Sequence, residues 1–499
     1  MKNIKHFAFS DSLTVFWEKD PSDRCLYRLV LTDGKEAVTD KTHYTFTGLQ
    51  ADTEYGVQVF GADQSMQLEV KTLRRKEYLN VTKAPYLAVG DGKTVNTAVL
   101  QQAIDDCGAD QAVYFPAVFF LTGALKLHGN MEIYIDKGGV LQGTEEAADY
   151  EPKIKSRFEG HHMDCYQSLL NIGELDYTKG PTTEQIILRG EGTICGGGRL
   201  LAENIMEIER IRLHEYMDRL GEELKEYENE NTIPGRARGR LINISNTRNV
   251  IISGLTLKNG PSWNVHMIYS DQVITHNCFF QSRNIWNGDG WDPDSSTNCT
   301  IFGCHFQTGD DAIAIKSGKN PEGNIVNRPS KTIRIFDCVS EFGHGFTIGS
   351  EMSGGIEDVA VWDCDLSGSK YGLEIKGTKK RGGYVRDIRV ENCTVPRIMM
   401  HSVGYNDDGE SAGQAPYFEG CRFENLTILG SYQQDDGGRI PCNSLELIGF
   451  DETGHELNDL IFRNITIGSE EGLKLLLHHC GKIVFEQIGT SRSIEKILL

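Results

Sequence analysis

Apolar residues in this chain alternate with polar ones far more often than they recur at helical spacing. Residues 1–74 contain five short alternating runs, SLTVFWEK, LYRLVLTD, HYTFTGL, EYGVQVFG and MQLEVKTL, separated by turn residues. Alternation with a period of two predicts half-buried strands, so this segment reads as a small β-sandwich. Trp17 lies on an early strand, and Tyr55, shortly after Leu49, has the placement of a tyrosine corner. Residues 75–85, RKEYLNVTKAP, form a polar linker ending in Pro85. A helix follows in TVNTAVLQQAIDDC, with Thr94 or Asn96 as its cap and Val99, Leu100, Ile104 and Cys107 on its apolar face. It is placed to cover the open end of what comes next.

From there to residue 499 short strands dominate, and after residue 248 they repeat. The copies read VIISGLTL, VITHNCFF, TIFGCHFQ, IRIFDCVS, VAVWDCDL, IRVENCTV, CRFENLTI and LIFRNITI. One apolar position of the copies falls at Leu255, Cys278, Cys304, Cys338, Cys364, Cys393, Leu426 and Ile465, at intervals of 23, 26, 34, 26, 29, 33 and 39 residues. Intervals in the twenties with longer excursions mark stacked coils whose loops vary on one side. The fold expected for residues 86–499 is therefore all-β, a right-handed parallel β-helix. Near 202–231 the pattern is interrupted by a densely charged, helix-favouring insertion with Ile205, Ile208 and Ile211 three apart, which reads first as a solvated surface helix and second as a wall over a cleft.

Composition narrows the function. A net charge of −20 without a basic stripe disfavours nucleic acid, and no run of about 18 apolar residues suggests a membrane span. An anionic substrate would need a local positive island in a repulsive field. The 13 cysteines form no CxxC pair, and five share one repeat position, as expected of small packed interior groups rather than metal ligands or redox pairs. Free thiols, and a first segment without a basic stretch leading into an apolar run, give the expectation of a cytoplasmic address.

The chemistry concentrates in NGDGWDPDSSTNCTIFGCHFQTGDDAIAIKSG, residues 287–318. Asp289 stands between glycines, and Asp310-Asp311 runs straight into an alternating apolar stretch. Asp292 and Asp294 flank Pro293 and read as turn residues. Adjacent acids raise one another's pKa, and carboxyls in different protonation states are what acid/base catalysis requires. Asp289 and Asp310 are 21 residues apart, His344 lies 34 beyond Asp310, and Lys376 lies 32 beyond His344, so all fall on consecutive coils.

At these residues the chain resembles the polygalacturonase family, glycoside hydrolase family 28. The family's four motifs stand here as Asn287-Gly288-Asp289, Gly309-Asp310-Asp311, Gly343-His344-Gly345 and Glu374-Ile375-Lys376. The resemblance runs from about residue 85 to the last repeats and includes the opening helix and the GEGTICGGG turn. The fibronectin type III-like first domain and the long loop after Asp-Asp look like the exo-acting bacterial members. The resemblance implies inverting hydrolysis of α-linked galacturonic acid in pectic oligo- or polysaccharides, without a cofactor or metal. Asp310 would be the general acid, Asp289 and Asp311 would activate water, His344 would hold the proton network, and Asn287, Lys376 and Tyr405 would bind substrate. Glu374 replaces the family's arginine. A glutamate there is expected to repel a uronate and to favour a rhamnogalacturonan-type or modified substrate. A calcium-dependent pectate lyase, with Asp292 and Asp294 as metal ligands, and a noncatalytic carbohydrate-binding solenoid are the competing readings.

Overall fold

A computed structural model describes residues 1–20, 26–434, 437–469, 472–490 and 493–495. The chain forms two compact units, Met1–Leu79 with Gly108–Ala112, and Asn80–Cys107 with Val113–Leu499. Among the described residues no helix is long and apolar enough to cross a membrane.

In the first unit a three-stranded and a four-stranded antiparallel sheet enclose one apolar core. Leu13, Val15 and Trp17 come from one sheet, and Leu29, Val57 and Val59 from the other. Alternation along Glu54–Phe60 sends Tyr55, Val57 and Val59 inward. The Tyr55 hydroxyl accepts the Gln50 N–H at 2.9 Å, the upstream backbone contact of a tyrosine corner.

The second unit is a parallel β-helix. Successive coils add parallel strands to three long sheets, one of which, of eight strands, ends at Val339–Phe342 while the other two run on. The repeat has a conformational basis. The residue before each repeated apolar position is left-handed: Asn277 (φ +51°), Asp337 (+50°), Asp363 (+54°) and Asn392 (+50°), with Gly254 and Gly303 in the equivalent places. Asn, Asp and Gly tolerate that conformation best, so the same residue types recur where the chain turns between sheets. The cysteines that follow are buried and stacked. The Cys278 N–H meets Cys304 Sγ at 3.3 Å, and the Cys364 N–H meets Cys393 Sγ at 3.4 Å. Of the thirteen cysteines twelve are described, all as free thiols; Cys25 lies outside the described residues. Inside, Phe302, Phe336 and Trp362 stack at centroid separations of 4.7 and 4.4 Å. Each such pair adds about 0.5–1.5 kcal/mol beyond its buried area.

The opening helix spans Thr97–Asp105 and buries Leu100, Ala103 and Ile104. The insertion folds as helices Gly198–Arg212 and His214–Leu220. Its buried face is Leu201, Ala202, Ile205 and Glu209, whereas Ile208 and Ile211 are exposed, 46% and 72%. Spacing by three drifts round a helix of 3.6 residues per turn, and spacing by four keeps the face.

Candidate active site

The site lies on the sheet whose successive strands include Trp291–Asp294, Ile313–Ile315, Gly345–Ile348 and Gly372–Gly377. Trp291 pairs with Ile313, Ile313 with Phe346, and Phe346 with Leu373, all apolar and inward. Two residues before each of these stand Asp289, Asp311, His344 and Tyr371, so those four share one register position on four coils. Asp311, rather than Asp310, is thus the in-line neighbour of Asp289. The backbone fixes the stack: Gly290 N–H donates to Asp311 O at 3.0 Å, and His344 N–H donates to Asp310 O at 2.9 Å. Alternation places Asp292, Ala314, Thr347 and Glu374 in a second row on the outward face, and Asp294, Lys316 and Lys376 in a third. Asp292 and Asp294 are therefore buried strand residues, not turn residues. Asp294 Oδ1 accepts Arg157 Nη1 at 2.7 Å, which holds its carboxyl well below the ordinary range despite its burial.

A cavity of about 430 Å³ opens over these rows. Asn287, Asp289, Asp310, Asp311, His344, Lys376 and Tyr405 all line it, together with Glu159, Glu228, Lys316 and Glu351, which motif reading missed. Lys316 had a signal, since it ends the alternating run after Asp-Asp on the outward side. Glu159 and Glu228 had none; they arrive from the Ile154–Phe158/His161–Cys165 hairpin and from the insertion. The insertion is therefore a wall of the cavity as well as a surface element. Glu374 does not line the cavity. It is 3% exposed, with Oε1 2.7 Å from His401 Nε2 and Oε2 3.0 Å from Lys376 Nζ, an ion pair without hydrogen-bond alignment.

The charges are strongly differentiated. Burial lifts the Asp289 carboxyl well above its usual range, neighbouring Asp292 adds to this, and Lys316, 3.4 Å from Oδ2, offsets only part. Burial does the same to Asp292, whose two carboxyl oxygens have no hydrogen-bond partner. Burial also opposes ionisation of Asp311, but Lys376, His344 and Lys316 outweigh it and keep it a carboxylate. Thr347 Oγ1 donates to its Oδ1 at 2.7 Å. Burial would lower His344, yet Asp310, 2.8 Å from Nδ1, and Asp311 raise it to about 11, so the ring is an imidazolium at neutral pH. Burial opposes the Lys316 and Lys376 charges as well, and Glu351 and Glu374 respectively lead in restoring them. Asp310, Asp311 and His344 offer three ligand atoms within 4.8 Å of one another. Behind the cavity, Arg238 donates to Asn287 Oδ1 at 2.6 Å and to Trp286 O at 2.9 Å, which pins the segment before Asp289.

A sequence profile of glycosyl hydrolases family 28 matches residues 178–427, a span that contains all four motifs. The chain belongs to this family. It is a glycosidase. A probable polygalacturonase of Vitis vinifera is 32% identical over 357 residues, covering 68% of this chain and 66% of the relative. An exo-poly-alpha-D-galacturonosidase of Dickeya chrysanthemi is 25% identical over 488 residues, covering 93% of this chain and 79% of the relative. The solved family 28 exopolygalacturonase of Yersinia enterocolitica superposes with a TM-score of 0.78 at 20% identity, over 99% of this chain and 100% of that one, a likeness of fold.

Proposed function

We propose that the protein hydrolyses α-galacturonosidic linkages of pectin-derived oligosaccharides with inversion, releasing units from chain ends. The observation that carries this reading is the division of labour among the acids: Asp311 is held as a carboxylate, while the Asp310–His344 pair holds a proton. Asp310 passes that proton to the glycosidic oxygen. Asp311 takes one from the attacking water, which Asp289 holds from its other side. An oxygen of Asp310 and one of Asp311 lie within 4.8 Å of each other, closer than the roughly 6.5–9.5 Å that separates acid and base carboxyls in most inverting enzymes, so the anomer of the product is the deciding measurement. Lys376 and Lys316 face the sugar carboxylate as point charges. The burial of Glu374 supports an unmodified galacturonide, because its charge is spent on Lys376 and His401 and not presented to substrate. End-wise action is supported by the walls that Glu159, Glu228 and Tyr405 add to the cavity, and by the exo-acting enzymes named among the relatives. The buried free thiols suit a cytoplasmic enzyme working on imported oligomers.

The test is the product profile from homogalacturonan, rhamnogalacturonan and their short oligomers, with the anomer followed by NMR. Asp310→Asn is expected to lower kcat on galacturonides by about 10²–10⁴. Undiminished hydrolysis by that variant, a retained anomer, or unsaturated products would each refute the reading.

A further inference from the structure

His344 also lines a second cavity, of about 560 Å³. Gly309 and His344 border it on the catalytic side, so the Asp310–His344 pair stands at the boundary between the two spaces. The two cavities differ in charge. The catalytic one is lined by six acids, Glu159, Glu228, Asp289, Asp310, Asp311 and Glu351, and each of its cations, Lys316, Lys376 and His344, is already paired with a carboxylate. The second is lined by Arg283, Lys370 and His344 and by no acid at all. In a chain of net charge −20 that is a local reversal of sign.

Arg283 and Lys370 are also unspent. The Arg283 guanidinium lies 3.7 Å from the centroid of the Phe342 ring, and Lys370 Nζ lies 5.1 Å from that of Tyr371. Among the described residues neither pairs with a carboxylate. The aromatic rings hold the side chains in place without neutralising them. Opposite stands the Ser431–Gln433/Arg439–Pro441 hairpin, pinned to a neighbouring coil by Arg439 Nη1 donating to Ser367 O at 3.2 Å. It brings Tyr432 and Gln433 to the cavity, an aromatic face for a sugar ring and an amide for its hydroxyls.

We infer that this second cavity is a uronate subsite, in which Arg283 and Lys370 bind the carboxylate of the sugar across the scissile bond from Lys376, with Tyr432 beneath its ring. The inference rests on the proposed galacturonide hydrolysis. It adds that the charge selecting an acidic sugar on this side of the cut comes from outside the four motifs, from two exposed cations on separate coils.

The experiment measures kcat/KM on a defined oligogalacturonate at several ionic strengths, for wild type, for Arg283→Gln/Lys370→Gln, and for the charge-conserving Arg283→Lys/Lys370→Arg. The glutamine pair is expected to lose roughly tenfold at low salt and to flatten the salt dependence, because screening acts on the charges it removes. The conserving pair is expected to keep most of the rate and the full salt slope. Both side chains are exposed, so thermal midpoints should match wild type and separate this effect from misfolding. Unchanged kcat/KM and salt slope in the glutamine pair, or equal losses in both pairs, would overturn the subsite while leaving the hydrolase reading in place. A wild type that cleaves no galacturonide would overturn both.

Discussion

Asp408→Asn separates the cavity walls from the catalytic stack. Asp408 is 4% exposed and accepts Arg236 Nη1 and Nη2 at 3.0 and 3.1 Å, with Lys319 Nζ on Oδ1 and His161 Nε2 3.6 Å from Oδ2. It thereby anchors the loop that carries Tyr405 and Asn406 to the cavity. Arg236 keeps a second partner, Glu159 at 2.8 Å, so the variant strands Lys319 rather than Arg236. Losing the charge-assisted bonds to Arg236 costs about 1.5–3 kcal/mol. Burial has already brought Lys319 down to about 8, so it escapes by shedding its proton, which at pH 7 costs about 1.4 kcal/mol. The sum, about 3–4 kcal/mol, is what urea unfolding at pH 7 should show. KM should rise about tenfold as the wall loosens, with kcat changed much less. The sign with pH is set by Asp408 itself: burial opposes its ionisation, but His161, Arg236 and Lys319 depress its pKa. Its contribution is whole above the unfolded value of about 3.9 and is lost as pH falls toward the folded one. As pH falls from 8 the gap should first widen, because shedding the Lys319 proton costs more, and it should close only below about 3.9, where Asp408 begins to lose its charge. A variant within 1 kcal/mol of wild type at pH 7 with unchanged KM would refute the anchoring role.

Three further outcomes follow from the same charges. The His344 imidazole should remain protonated at pH 8 by NMR, because its folded pKa is raised to about 11; its contribution to stability is whole below the unfolded value of about 6.5 and is lost progressively as pH rises from there to the folded value, and a midpoint between 6 and 7 would contradict the pairing with Asp310 and Asp311. Glu374→Arg, which restores the family residue, should destabilise by about 3 kcal/mol or more in urea unfolding by setting a buried cation beside Lys376, and a stable, more active variant would count against the local pairing. Under native conditions a thiol reagent should modify Cys442 and Cys480 well before the ten buried described thiols, and rapid labelling of Cys338 would be inconsistent with the stacked interior row.

The repeat was legible because its two causes are local. A period of two fixes which residues face inward, and a left-handed turn residue next to each apolar position selects Asn, Asp or Gly, as at Asn277, Asp337 and Asn392. The spacing of Asp289, Asp310-Asp311, His344 and Lys376 then put them on neighbouring coils, because one turn of a solenoid converts sequence intervals into contacts. What sequence spacing left ambiguous was phase. Asp311 is the in-line partner of Asp289, and Asp292 and Asp294 are strand rather than turn, distinctions of a single residue that only register decides.

The sequence by itself thus determined the architecture, the four motifs and the chemical class, since each depends on intervals of one coil. The tertiary structure alone decided the charge states and the walls. Glu374 is harmless to an anionic substrate because Lys376 and His401 enclose it, and Glu159 and Glu228 reach the cavity from segments outside the stacked repeat. Desolvation and ion pairing depend on which groups meet in space, and for these residues that meeting is arranged by insertions and loops whose lengths carry no periodic signal.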